Sequence, residues 1–170
     1  MEGSGGMADF AVAVTNVIHR CLAVSGGEEV LVVADPGSTL IADALRREAA
    51  AAGADAVLAL MDKRATHGTE PPASIAAALS ACDVFLAPTT RSLSHTSARK
   101  DATNVGARGA TMPGVTADML ARVMAVDFEK MARRSLSFCQ RLRRRSSLAR
   151  AARRSHSIWP DGPGSQTTAI

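Results

Sequence analysis

The 170-residue sequence has no tyrosine and one tryptophan, and aromatic residues make up 3 % of it. Its core must therefore be built from Ala, Val, Leu and Met, and it lacks the stacking platforms on which single-strand nucleic-acid binders rely. Cysteine is scarce as well: Cys21, Cys82 and Cys139 are odd in number, widely spaced and without a Cys-x-x-Cys pair. That excludes a zinc ribbon and a thioredoxin-like redox pair. The apolar surroundings of Cys21 and Cys82 predict buried, reduced thiols in a cytoplasmic protein. No apolar run approaches the roughly 20 residues needed to cross a bilayer. The longest are broken by His19, Arg20, Asp35 or Asp43, so no membrane partner is expected. The opening Met1-Glu-Gly-Ser-Gly-Gly6 has no positive n-region and no apolar h-region, which predicts no secretory signal; Met7 begins the patterned sequence. Gly-x-Gly-x-x-Gly, a Gly-Lys-Ser/Thr phosphate loop and a Gly-x-Ser-x-Gly elbow are all missing. The first strand is followed instead by Asp35-Pro36-Gly37-Ser38, whose single glycine argues against a dinucleotide site.

What is present is a chain that is 46 % apolar and 21 % charged, rich enough in apolar residues for a sizeable core. The formal charge of +4 hides a break. Residues 1–132 hold 11 Lys and Arg against 15 Asp and Glu, a net of −4, while residues 133–170 hold nine Arg against one Asp, a net of +8. This is a mildly acidic domain with a basic tail.

Apolar periodicity predicts a helix over 8–24, with Phe10, Val14, Val17, Ile18 and Cys21 on one face. The β-branched run 29–34 reads as a strand buried on both sides. A helix capped by Ser38 or Thr39 runs to about Ala52 and stops at Gly53. Strands are predicted at 56–61, 83–87 and 107–112, and helices at 73–81, 94–105 and from a Thr116 cap to Ala121. A last helix starts at Asp127 and fades near Arg134. Alternation of this kind predicts an α/β fold: a Rossmann-like, doubly wound, mostly parallel four-stranded sheet with helices on both faces. The expected organisation is a flexible stretch 1–7, the α/β domain 8–134, and a disordered Arg/Ser-rich tail 135–170.

Polar loops follow the second and third strands, at the edge where open parallel sheets bind ligands. His67, Glu70 and His95 lack the spacing of a metal triad, so no metal ligands are assigned. The segment Thr89–Arg99 carries the most chemistry: hydroxyls, Arg91, Arg99 and His95 around a helix start, suited to an anion or a carbonyl. Capping by Ser94 or Thr96 beside a solvated His95 is the plainer reading of the same residues. The tail arginines, Arg141 to Arg154, suit phosphates, but no groove-reading motif accompanies them and nucleic acid is not favoured. The abrupt change of composition near 133–140 instead suggests a frameshift or truncation of a GC-rich gene.

Several segments together resemble the aminopeptidase T type of leucyl aminopeptidase, of the thermophilic metallo-aminopeptidase family. They are Glu29–Asp35, His67-Gly68-x-Glu70-Pro71-Pro72, Ala87-Pro88-Thr89-x-x-Ser92-Leu93-Ser94-His95-Thr96-x-Ala98-Arg99, Gly106-Ala107-Arg108 and Thr111-Met112-Pro113-Gly114-Val115-Thr116-x-Asp118-Met119. The resemblance spans about residues 8–134. It implies an N-terminal α/β domain, followed in the intact protein by a domain that holds paired divalent cations such as zinc or cobalt and releases N-terminal residues from peptides. The ligands of that second domain have no counterparts here, so this chain is expected to bind no cofactor and to be inactive alone. What carries over is His95, for substrate positioning or proton transfer, with Arg91, Ser94 and His67 as substrate-binding residues. A ring-cleaving dihydroxypyridine iron dioxygenase resembles the same family and is the alternative; a small-ligand-binding α/β module and an Arg-tailed nucleic-acid binder are the others. A peptide is the implied partner, and self-association stays open.

Overall fold

Helical spacing of apolar residues starts the fold. In the computed structural model, which describes residues 3–135, α1 (Gly3–Thr15) runs into a π-helical turn over Asn16–Cys21. Then follow β1 (Glu29–Ala34), α2 (Thr39–Ala51), β2 (Asp55–Leu60), α3 (Ala73–Ala81), β3 (Val84–Ala87), α4 (Ser97–Asn104), β4 (Arg108–Thr111) and α5 (Ala117–Met124). The sheet runs β2-β1-β3-β4, and every neighbouring pair is parallel. This is the α/β, Rossmann-like doubly wound arrangement that the alternation predicts.

Period-two alternation along the central strands sorts the core into two layers. Val30, Val32 and Ala34 of β1 and Val84 and Leu86 of β3 face Ile18, Leu45 of α2 and Leu120 of α5. Leu31, Val33, Phe85 and Ala87 face the other way, onto Ile75 and Leu79 of α3 and Ala98 and Ala102 of α4. Full burial of a side chain such as Leu45 or Leu79 contributes about 1.5–3 kcal/mol. The outer strands are more exposed, with Val57 and Leu60 of β2 on the surface.

Most boundaries fall within a residue or two of those read from the sequence; α5 runs to Met124 rather than Ala121, and two helix starts differ for local reasons. The first helix begins at Gly3 rather than Ala8. Apolar periodicity marks where a helix is buried, not where its hydrogen bonds start. The fourth helix begins at Ser97 rather than Ser94 because Thr96 caps it, its hydroxyl accepting from the Arg99 N–H at 3.3 Å. Thr116 caps α5 as expected, accepting from the Met119 N–H at 3.1 Å. At α2 the expectation fails: Ser38 occupies the cap position, but its hydroxyl turns back to the Asp35 carbonyl, 3.1 Å away, and makes no capping bond.

Cys21 is exposed and Cys82 half-buried, so the expected burial of both thiols is wrong for Cys21. The π-helical turn breaks the 3.6-residue spacing and swings Cys21 out of the stripe that Val14, Val17 and Ile18 keep. Such burial as each has still pushes both thiols above their ordinary pKa. Beyond the turn, Ala23 adopts a left-handed φ of 48°. Arg108 at the start of β4 holds this corner. Its guanidinium donates to the Leu22 and Ala23 carbonyls at 2.8 and 3.1 Å and forms a two-pronged pair with Glu28, both contacts 2.8 Å.

The chain divides into two units after Val126. In the second, residues 128–135 are helical, and Asp127 accepts from the Lys130 N–H at 2.9 Å. The basic run from Arg141, Cys139 and most of the tail lie outside the described residues. Among the described residues no helix is long and apolar enough to cross a membrane.

Candidate functional site

In this strand order the chain direction across the sheet reverses between β1 and β3, which makes their carboxyl ends the topological switch point. Asp35 sits there, directly after β1 and 1 % exposed. Its carboxylate accepts from the Thr90 N–H at 2.6 Å and the Thr90 hydroxyl at 2.8 Å, and from the Gly37 N–H at 3.1 Å. Gly37 is required by this contact, since a Cβ there would lie 2.8 Å from Thr90 Oγ1. The Thr90 N–H, Thr90 hydroxyl and Gly37 N–H at this switch point are thus taken by the protein's own carboxylate. The side chains left for a ligand stand further along the loop after β3.

That loop is fixed from three directions. Gly68 of the β2–α3 loop donates its N–H to the Ser92 carbonyl at 2.8 Å, and the Ser92 N–H donates to His67 Nδ1 at 3.1 Å. Ser94 packs its hydroxyl 2.6 Å from that of Thr111 at the end of β4 and accepts from the Ser92 hydroxyl at 2.9 Å. Arg99 of α4 donates Nε to the Ser94 carbonyl at 3.0 Å. Of the expected site residues, His67 and Arg91 meet, with Nε2 and Nη1 3.3 Å apart. Ser94 is held against β4. His95 is exposed, and among the described residues its ring has no hydrogen-bond partner. It stands with Ser94 and Thr111 in a cleft of about 450 Å³ that follows β4 between Phe85 and Arg99. Gly109 lines that cleft and lets β4 pack closely on Phe85, whose carbonyl and ring a Cβ would strike.

Glu70 is absorbed by structure. Its carboxylate accepts from the Ser97 and Ala98 N–H groups at 2.6 and 3.2 Å, capping α4, and these bonds lower its pKa. His67 likewise spends one ring nitrogen on a backbone N–H. The polar residues of this edge therefore do not fit a metal, and among the described residues no three His, Cys, Asp or Glu side chains converge. A larger groove of about 1000 Å³ lies among α1, α2 and α5. Several of its charged groups are paired within the protein: Asp43 with Arg46 and Arg47, Glu48 with His19, and Asp118 with Arg122.

Asp35 and Thr111 are structural members of the site that the sequence did not mark as site residues, and Thr90, within the segment singled out for its hydroxyls, spends its own on Asp35. The available signal was an Asp directly after a fully apolar strand, where a buried carboxylate must find N–H donors.

No family model matches the chain, and no curated protein matches it in sequence. Among solved structures, the 2,5-dihydroxypyridine dioxygenase of Pseudomonas putida KT2440 is similar in fold, with a TM-score of 0.54 at 15 % identity. The match covers 67 % of this chain and 36 % of that one, so the chain spans about a third of the length of that enzyme. At this identity the likeness is one of fold.

Proposed function

We propose that the α/β unit is the substrate-positioning part of a metal-dependent enzyme of the aminopeptidase T type, with the peptide-cleaving cations held outside residues 3–126. One observation carries this reading: an exposed histidine, His95, stands at a cleft that runs along β4, on a loop after β3 pinned by His67, Ser94 and Thr111. A rigid loop that presents a hydrogen-bond-free imidazole suits transfer of a proton at the scissile group or the departing amine. Ser94, already bonded to Thr111, orients the segment, and Arg91 and His67 face the substrate beside it. A peptide is the substrate and the cytoplasm the setting in this reading.

The fold shared with the dihydroxypyridine dioxygenase favours a second reading, in which the same loop faces an aromatic ring at an iron-dependent enzyme. Titrating L-leucinamide and, separately, 2,5-dihydroxypyridine into 15N-labelled chain separates the two. The expected result is perturbation of the Ser92–Ser97 amides by the amide ligand and no turnover of leucyl p-nitroanilide by the chain with added zinc or cobalt. Perturbation by the pyridine alone favours the second reading. No perturbation of this loop by either, or chelator-sensitive turnover lost in His95→Ala, overturns the proposal.

A further inference from the structure

We propose that His67 and Arg91 form a recognition pair for one carboxylate of a small ligand. This rests on the reading of the loop as a substrate-positioning surface and names the group that it holds.

The argument begins with a count of donors. A neutral imidazole has one lone pair available in the ring plane and one N–H. Two donors are aimed at the His67 ring: the Ser92 N–H at Nδ1, 3.1 Å away, and Arg91 Nη1 at Nε2, 3.3 Å away. Only one of them can be accepted, and protonation of the ring leaves neither accepted. The shorter, backbone bond fixes the lone pair on Nδ1 and the proton on Nε2. The Nε2–H and the Arg91 guanidinium then face one another with no acceptor between them. Arg91 Nε is buried and also has no partner. Two facing donors, the His67 Nε2–H and the Arg91 Nη1 end, with no acceptor between them, are completed by an oxygen anion.

The surrounding charges point the same way. Arg46, Arg47, Arg108 and Arg122 each pair with a carboxylate. Among the described residues Arg91 pairs with none, and neither does Arg64 of the preceding loop, whose Nε is likewise buried without a partner. One fixed positive charge beside a neutral N–H donor matches a monoanion, and the planar guanidinium fork matches a carboxylate.

The test titrates sodium N-acetylglycinate and sodium benzoate into 15N-labelled full chain without metal, with N-acetylglycinamide as the uncharged control. Long-range 1H–15N spectra read the His67 tautomer. The expected result is an Nε2–H tautomer in the free protein and saturable shifts at His67 Nε2 and Arg91 Nε with a carboxylate. The tighter of the two probes assigns an amino-acid or an aromatic source. Arg91→Gln weakens binding by about tenfold or more. His67→Gln, whose amide can both accept from Ser92 and donate to the ligand, retains binding, whereas His67→Ala loses it. If Arg91→Gln fails to fold, as judged by amide dispersion, the two His67 variants decide. No saturable shift with either carboxylate, equal shifts with N-acetylglycinamide, or equal binding by His67→Ala overturns the proposal. No turnover is read, so failure here is distinguishable from failure of the enzymatic assignment.

Discussion

The carboxylate of Asp35 accepts both the backbone N–H and the hydroxyl of Thr90, 55 residues further along the chain, and thereby joins the loops that leave β1 and β3. Asp35→Ala leaves these donors and the Gly37 N–H without an acceptor inside the protein, at a cost of about 3 kcal/mol. Asp35→Asn does little better, because its amide NH2 would meet donors where the carboxylate met them. Urea denaturation of both variants checks this; a loss near zero for Asp35→Asn would refute the account of the switch point.

Gly37→Ala forces a methyl group against Thr90 Oγ1, which predicts destabilisation of about 1–3 kcal/mol. Thr90→Ala removes the obstructing oxygen. The cost of Gly37→Ala is therefore expected to shrink in the Thr90→Ala background, and the two changes should fail to add in a double-mutant cycle. Strict additivity would mean that the two residues do not touch.

Hydrogen bonds from Arg108 and from the Ser25 N–H hold the Glu28 carboxyl at a pKa of about 2, against an ordinary value of 4.5. A depressed folded-state pKa stabilises the fold fully above the ordinary value, and that contribution is lost as pH falls from about 4.5 towards 2. Glu28→Gln is thus expected to flatten the acid limb of a melting-temperature profile while the Arg108 bonds to Leu22 and Ala23 persist. An unchanged acid limb would show that the pair does not govern it.

His95 makes no hydrogen bond within the described residues and is exposed, so His95→Ala should change stability by less than about 0.5 kcal/mol. Ser94→Ala, which loses the contacts to Ser92 and Thr111, should increase hydrogen exchange across 92–97. The opposite ranking would place His95 among the structural residues of the loop.

The sequence made the layering legible because it is a matter of pattern. The run Val30–Ala34 can only be a strand covered on both sides, and alternation with helices makes the sheet parallel. Loop 62–72 and Thr89–Arg99 could be placed at one edge for the same reason. What pattern could not supply is partner choice between distant residues. Nothing local distinguishes a capping Glu70 from a ligating one until the α4 amides are seen on its oxygens. Ser38 looks like a helix cap until Asp35 takes its hydroxyl. Cys21 left the buried stripe because a π-helical turn adds to the residues in each turn, and periodicity assumes that it does not.

The bond between Ser94 and Thr111 ties the histidine-bearing loop to the outermost strand of the sheet. The outer side of β4 carries no further strand in the described residues, so its main-chain groups there can accept another chain. A strand laid along that margin would run beside Thr111, the residue on which the histidine-bearing loop is anchored.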